Sequence, residues 1–389
     1  ADPLCEAFID AAEQTGIPRN IDFNGATQEG AGYFQTTTRR GRRASTAVSY
    51  LNPARGRPNL RIETDAHAER VLFEGKRAVG VRYSANGLYK DVLANHEVIL
   101  CGGAVNSPQL LLLSGVGPAE ELRKHSIETV HELPGVGKNL QDHLDVVVSV
   151  REKTHQSVTF NPMSLWQSIK MLFQYIFGKR GALSSNIAES GGFIKTRPEE
   201  PVPDLQLHFV PLAFSEHAQK LGPLFGYAYT LMACNLRPIS RGEITLSSND
   251  PLAAPSIRAN YLDHPQDLEK LIIGIRKMRE ILAQPAFAPH RREEIMPGAQ
   301  VQSDAQIGDW IRQNAETVYH PVGSCKMGVD DMAVVDPQLR VHGLQSLRVV
   351  DASIMPTLIG GNTNAPTTMI AEKGAAMILD DAQRPRAAA

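Results

Sequence analysis

The residues best placed to do chemistry are gathered toward the end of the chain. His320 lies in the Pro- and Gly-bent run YHPVGSCKMG, Tyr319 to Gly328, and imidazole is the usual side chain for taking up a proton near neutral pH. Further on, RVVDASIMP (Arg348 to Pro356) puts Asp351 directly after an apolar, strand-like run. Carboxylates that hold cofactor hydroxyls are commonly found at such strand ends. The last stretch, GNTNAPTTMIAEKGA from Gly361 to Ala375, leads polar side chains into a helical pattern, and a helix N-terminus stabilises developing negative charge. A base, a cofactor anchor and an anion-stabilising helix end suit proton removal beside a bound group that takes up electrons.

These segments need a scaffold, and the hydrophobic pattern outlines one. PLCEAFIDAAEQTG (Pro3 to Gly16) has helical apolar spacing and a terminating glycine. The Gly-rich stretch from Asn24 to Gly41 reads as a loop or extended arm, and Arg43 to Leu51 as a short helix broken by Pro53 and Pro58. From Asn59 to Gly103 the pattern changes to alternating strands, with Glu74-Gly75 and Asn86-Gly87 as hairpin turns. Val98-Ile99-Leu100-Cys101 running into Gly102-Gly103 reads as a buried parallel strand, followed by a helix through Ser107 to Gly115. Strand, glycines and helix in that order describe one unit of a dinucleotide-binding sheet.

Between Leu144 and Ala315 the alternation is less regular. Asp204 to Pro211, Gly226 to Leu236 and Arg241 to Ser248 read as strands of a mostly antiparallel sheet, and Asp267 to Gln284 as an amphipathic helix. The expected fold class is α/β (α+β overall). It combines an incomplete Rossmann-like dinucleotide-binding domain, 56–143 with 316–382, and a substrate domain, 1–55 with 144–315, whose antiparallel sheet is flanked by helices.

Bulk composition narrows the partners. The 389 residues carry 40 Lys plus Arg against 42 Asp plus Glu, a net charge of -2, which predicts no general attraction to nucleic acid or to anionic membranes. Arg39-Arg40 and Arg42-Arg43 form a local basic cluster, read as a solvated loop face. Cys5, Cys101, Cys234 and Cys325 are widely spaced with no C-x-x-C pair, which argues against a zinc site or disulfide framework and fits a reducing, cytoplasmic compartment. Asn139, Asp142 and His143 in NLQDH lack metal-site spacing, so no metal is expected and a structural role is preferred. No apolar run reaches membrane-span length. The aromatic-rich segment Ser164 to Gly181 reads as a packed surface helix, with peripheral contact to the inner membrane as the alternative.

One expected feature is missing. A nucleotide-binding sheet should show G-x-G-x-x-G after its first strand, yet Gly115-Val116-Gly117 is followed at the third position by Glu120, and Gly135-Val136-Gly137 by Leu140. With the opening Ala1-Asp2-Pro3, this predicts a chain that begins partway into a longer protein.

At NGATQEGAG, GRRASTA, GGAVNSPQLLLLSGVGP, LPGVGKNLQDH, YHPVGSCKMG, RVVDASIMP and GNTNAPTTMIAEKGA the chain resembles the glucose–methanol–choline (GMC) family of FAD-dependent oxidoreductases. The matches keep their order from near Asp22 to near Leu379. Within the family the chain looks most like bacterial alcohol and choline dehydrogenases; Gly181 to Phe193 and Tyr229 to Gly242 resemble enzymes oxidising medium-chain primary alcohols. The resemblance implies FAD as cofactor, and it implies that the family's first Rossmann strand and glycine loop lie in an N-terminal segment absent here.

The resemblance also implies roles. His320 would take the alcohol proton while hydride moves to flavin N5, and Asn364 would hydrogen-bond the substrate oxygen. Ala365, Pro366 and Thr367 would open a helix aimed at the flavin's pyrimidine edge. Asp351 and Ala352 would contact the ribityl–pyrophosphate region, Ala68 the adenine, and Tyr319 substrate or flavin; Glu189 and His208 are candidate pocket residues. The implied reaction is oxidation of a primary alcohol, aliphatic by preference, to its aldehyde. Electrons would pass to a quinone or another non-oxygen acceptor. Three alternatives stand beside it: choline dehydrogenase or oxidase activity, a flavin-containing hydroxynitrile lyase of the same fold, and a non-catalytic complementing piece.

Overall fold

The computed structural model describes residues 2–157, 159, 165–212 and 226–383. Ser164 and the side chain of Trp166, both in the aromatic-rich segment, lie outside them. The fold is a mixed α/β architecture with mostly antiparallel sheets, divided into two compact units. The first comprises Ala1–Arg57, His143–Arg237 and His264–Val318; the second comprises Pro58–Asp142, Pro238–Asp263 and Tyr319–Ala389.

The first unit is built on a seven-stranded sheet. The strand Leu144–Glu152 pairs antiparallel with Ala228–Asn235 on one side and with Arg291–Met296 and Glu316–Thr317 on the other; beyond Ala228–Asn235 the sheet continues through Leu205–Val210, Ser190–Ile194 and Gly30–Tyr33. The helix Pro3–Gln14 starts where Asp2 accepts from the Leu4 N–H at 2.9 Å, satisfying one of the unpaired first-turn donors. An aromatic stack holds the core: Phe8 on Phe209 at 5.2 Å and Tyr229 on Phe287 at 4.9 Å, all fully buried. Gly30–Tyr33 lies inside the Gly-rich stretch read as a loop or extended arm, and forms an edge strand there. Glycine carries little β preference, but here it is needed for close approach: a Cβ on Gly192 would sit 2.6 Å from the Gly30 carbonyl across the pair.

The aromatic-rich segment corrects an expectation. It forms the helix Leu165–Gly178, but Ile169, Leu172, Phe173, Ile176 and Phe177 are exposed while Met171 and Tyr175 are half-buried. The apolar stripe faces outward, so this is not a packed surface helix. Among the described residues no helix is long and apolar enough to cross a membrane.

The second unit carries the parallel element. Val98–Leu100 pairs in parallel with Leu347–Val349, and the antiparallel meander Ala66–Glu74, Arg77–Ala85, Leu88–Leu93 precedes it. Both expected turns are present; Asn86 and Gly87 take φ of 52° and 74°, the left-handed pair that a two-residue hairpin turn requires. Glu243–Thr245, expected in the sheet of the substrate domain, instead pairs with Ser256–Arg258 in a small hairpin of this unit. It is held there because the Ile244 N–H donates to Gly137 O at 2.7 Å and Leu140 bridges Gly242.

The C-terminal helix Asn364–Gln383 is fastened by a buried ion cluster. Arg348, with its side chain 5% exposed, donates to Glu97 at 2.7 Å, to the Gln338 carbonyl at 2.7 Å and to Asp381 at 2.5 Å. Removing the guanidinium would leave the partly dehydrated Glu97 carboxylate without its cation, while Asp381 would keep only Arg340. Arg348→Met should therefore lower unfolding free energy by about 3–5 kcal/mol, read by urea denaturation; a loss within the error of the extrapolation would show the cluster to be dispensable.

Candidate active site

His320 is set by its neighbours in the loop and by a turn far away in sequence. Tyr319 before it adopts φ of 61° and leaves its side chain 65% exposed, a left-handed conformation that a non-glycine residue holds only when the surroundings enforce it. Pro321 after it restricts His320 to extended backbone. The His320 N–H donates to Asp142 Oδ1 at 2.8 Å, and the Tyr261 hydroxyl donates to Asp142 Oδ2 at 2.5 Å. The same turn is laced to the loop elsewhere: Gln141 and Val322 exchange main-chain hydrogen bonds, Asn139 Nδ2 donates to Gly323 O at 3.2 Å, and Gln141 Oε1 accepts from Leu358 N at 3.1 Å. Gly323 is required where it stands, since a Cβ would come within 2.5 Å of Asn139 O and φ is 91°.

Asn362, not Asn364, lies against the imidazole. Its Nδ2 is 3.4 Å from His320 Nε2. Asn364 is the first residue of the C-terminal helix and is exposed, with its carbonyl accepting from the Thr368 hydroxyl at 3.0 Å. The family resemblance points to Asn364 as the position opposite the base; Asn362 stands two residues before it in the same GNTN run. Asn362 precedes the helix and Asn364 is its first residue, so the backbone path between them, not their spacing in sequence, decides which one reaches the ring.

The imidazole is held neutral more firmly than usual. Burial pushes the His320 pKa below its ordinary value, and the Asp142 carboxylate partly opposes that shift. The lone pair of a neutral ring can accept a proton, and an amide N–H on Asn362 can donate to the same small region.

The remaining candidates fall into two groups. Asp351 is buried, and its carboxylate is used inside the fold: Oδ2 accepts from Ser107 Oγ at 2.5 Å and Gly103 N at 2.9 Å, and Oδ1 from Ser353 N at 2.8 Å. It caps both the helix Gly103–Leu113 and the turn Ala352–Ile354. A contact from this position to a cofactor would come through main chain at Asp351 and Ala352. Ala365 and Pro366 open the C-terminal helix, where the Thr367 N–H and hydroxyl both return to the Thr363 carbonyl. Proline supplies no N–H, so the first-turn amides at Asn364 and Ala365 are the ones that precede the helical ladder. Glu189 and His208 lie in the first unit: a Glu189 carboxylate oxygen accepts from Asp2 N at 3.3 Å, and the His208 ring sits 5.5 Å from that of Phe34.

Ala68 lines a cleft of about 400 Å³ with Ala66, His67, Ile99, Gly102 and Asn106. The cleft lies along Val98–Leu100, whose Ile99 is 41% exposed. Because Val98–Leu100 and Leu347–Val349 run parallel, Cys101–Gly103 and Val350–Ala352 follow them at the same, carboxyl end, where nucleotides bind in open α/β sheets. An apolar cleft beside bare glycines and paired strand ends fits the adenosine part of a dinucleotide cofactor.

Family models described as GMC oxidoreductase match residues 1–145 and 238–371, and the chain belongs to that family of FAD-dependent oxidoreductases. It is 50% identical over 381 residues to alcohol dehydrogenase [acceptor] of Pseudomonas putida, covering 97% of this chain and 68% of that protein. It is 49% identical over 394 residues to the oxygen-dependent choline dehydrogenase of Ectopseudomonas mendocina, covering 99% and 68%. Among solved structures, pyridoxine 4-oxidase from Mesorbium loti superposes with a TM-score of 0.83 at 29% identity, covering 98% of this chain and 70% of that one. Formate oxidase from Aspergillus oryzae RIB40 gives 0.87 at 26%, covering 97% and 70%. FAD is the cofactor.

The Asp142 carboxylate opposes burial in setting the His320 pKa. Asp142→Asn should therefore move it further below the ordinary value of about 6.5, followed as the imidazole C2–H shift during an NMR pH titration. A midpoint that stays put or rises would remove Asp142 from the electrostatics of this ring.

Proposed function

We propose that the chain oxidises a primary alcohol, aliphatic by preference, to the aldehyde, with His320 as the base and Asn362 as its hydrogen-bonding partner. The observation that carries this reading is the 3.4 Å separation of Asn362 Nδ2 from His320 Nε2. A hydroxyl oxygen within hydrogen-bond distance of both atoms can donate its proton to the ring and accept from the amide. The amide orients the hydroxyl, and the ring removes its proton as the carbon–hydrogen bond becomes hydridic. Neutral imidazole at the pH of the cell keeps that acceptor available.

Bound FAD supplies the hydride acceptor. The residues that would hold it are Ala68 in the cleft, the Asp351–Ala352 main chain, and the helix start at Ala365, Pro366 and Thr367, whose dipole favours negative charge nearby. Tyr319, 65% exposed beside the base, offers a ring to substrate or cofactor. Reoxidation by a quinone or another non-oxygen acceptor follows the name of the Pseudomonas putida relative, alcohol dehydrogenase [acceptor]. Choline is the second reading, supported by the relatives named as choline dehydrogenases and by Tyr319, since an aromatic face attracts a quaternary ammonium.

Anaerobic mixing of the flavoprotein with a medium-chain alkanol and, separately, with choline should bleach the flavin with the alkanol at the lower concentration. If neither bleaches it, the oxidation reading fails, and release of aldehyde from a cyanohydrin with the flavin still oxidised would replace it with a lyase. His320→Ala should slow alkanol-driven bleaching by at least about a hundredfold at neutral pH with FAD retained. Asn362→Ala should weaken it more than Asn364→Ala; the reverse order would return the partner role to Asn364.

A further inference from the structure

The helix Leu165–Gly178 turns its greasy side to solvent. Ile169, Leu172, Phe173, Ile176 and Phe177 follow a spacing of three and four residues, which places them along one stripe, and they are 37%, 49%, 60%, 50% and 77% exposed. Phe173 and Phe177 pack on each other with ring centroids 5.2 Å apart. The side turned toward the unit is the half-buried one, with Met171 and Tyr175. An amphipathic helix on a water-soluble surface has the opposite orientation, so this stripe is arranged to be covered.

What surrounds the stripe identifies the cover. The Thr38–Arg39 and Arg42–Arg43 strands form a hairpin whose tip rests on the end of this helix: a Cβ on Gly41 would lie 2.2 Å from the Lys179 carbonyl. Arg39, Arg40, Arg42 and Arg43 are all exposed, and Lys170, Lys179 and Arg180 belong to the helix and its exit. Neither 30–57 nor 165–188 contains a single Asp or Glu. In a chain of net charge -2 this is a strong local concentration of positive charge beside an apolar ridge.

We infer that this face docks on an anionic phospholipid bilayer, the apolar stripe entering the boundary between headgroups and acyl chains while the arginine hairpin and flanking lysines meet phosphate. That combination of apolar burial and basic charge is what an interfacial helix requires. A second copy of the chain is the poorer occupant, because a two-fold contact brings each patch against itself and would oppose arginine to arginine. The inference is independent of which alcohol is oxidised.

The FAD-loaded protein should cosediment with phosphatidylcholine vesicles containing phosphatidylglycerol, bind phosphatidylcholine alone at least about tenfold more weakly, and be released by high salt. Phe173→Ser with Phe177→Ser, and separately Arg42→Gln with Arg43→Gln, should each reduce the bound fraction about tenfold or more, with flavin content and melting temperature confirming that the variants fold. Three results would overturn the inference: no cosedimentation with either vesicle, equal binding to both, or wild-type binding by the phenylalanine variant. So would a dimer of the free protein, seen by light scattering, that the phenylalanine variant dissociates.

Discussion

One carboxylate holds the candidate site together. Asp142 receives the main-chain N–H of His320 on one oxygen and the Tyr261 hydroxyl on the other, joining three stretches of chain that are remote in sequence. Around it, Asn139 and Gln141 donate to the Gly323 and Pro356 carbonyls, so the loop carrying the imidazole is tied down along its length. The strained φ at Tyr319 is affordable because these bonds over-determine the path. The same negative charge opposes burial in setting the ring's affinity for a proton. Geometry and protonation therefore have a common origin, and neither can be altered alone by changing this residue.

The parallel strand pair shows a similar economy of charge. A helix N-terminus is a ready anion site, but that of Gly103–Leu113 is already filled by Asp351. The carboxylate that looked like a cofactor ligand is an internal strut that fixes the relation between two strand ends and a helix. What it leaves for a ligand is the cleft along Val98–Leu100, with Cys101 and Gly102 exposed at the end of that strand. The helix whose start remains polar and exposed is the C-terminal one, and its far end is fixed by Arg348 and Arg340 on Asp381. Rigidity at one end of that helix serves placement at the other.

In the first unit, stacked aromatic rings and the buried central strands form an ordinary core. Against that background the outward stripe of Leu165–Gly178 is a departure with a cost, since exposed apolar area is hydrated unfavourably. Periodicity correctly marked the segment as an amphipathic helix, but periodicity is blind to which side faces the unit. The arginine cluster, read from composition as a solvated loop face, gains meaning only from its place at the end of that helix.

The sequence by itself determined the family, the mixed α/β class and the turns at Glu74-Gly75 and Asn86-Gly87, and it offered His320 as the candidate base, because these rest on motifs and local φ preferences written in consecutive residues. It also determined that NLQDH lacks metal-ligand spacing. Only the tertiary structure decided that Asn362 rather than Asn364 meets the imidazole, that Asp351 spends its oxygens inside the fold, that Glu243–Thr245 joins the second unit, and that a glycine-rich arm contributes an edge strand. Each of these depends on a contact between residues tens or hundreds of positions apart, or on a backbone direction that shifts a side chain to another face within one or two residues. Local propensity carries no information about either.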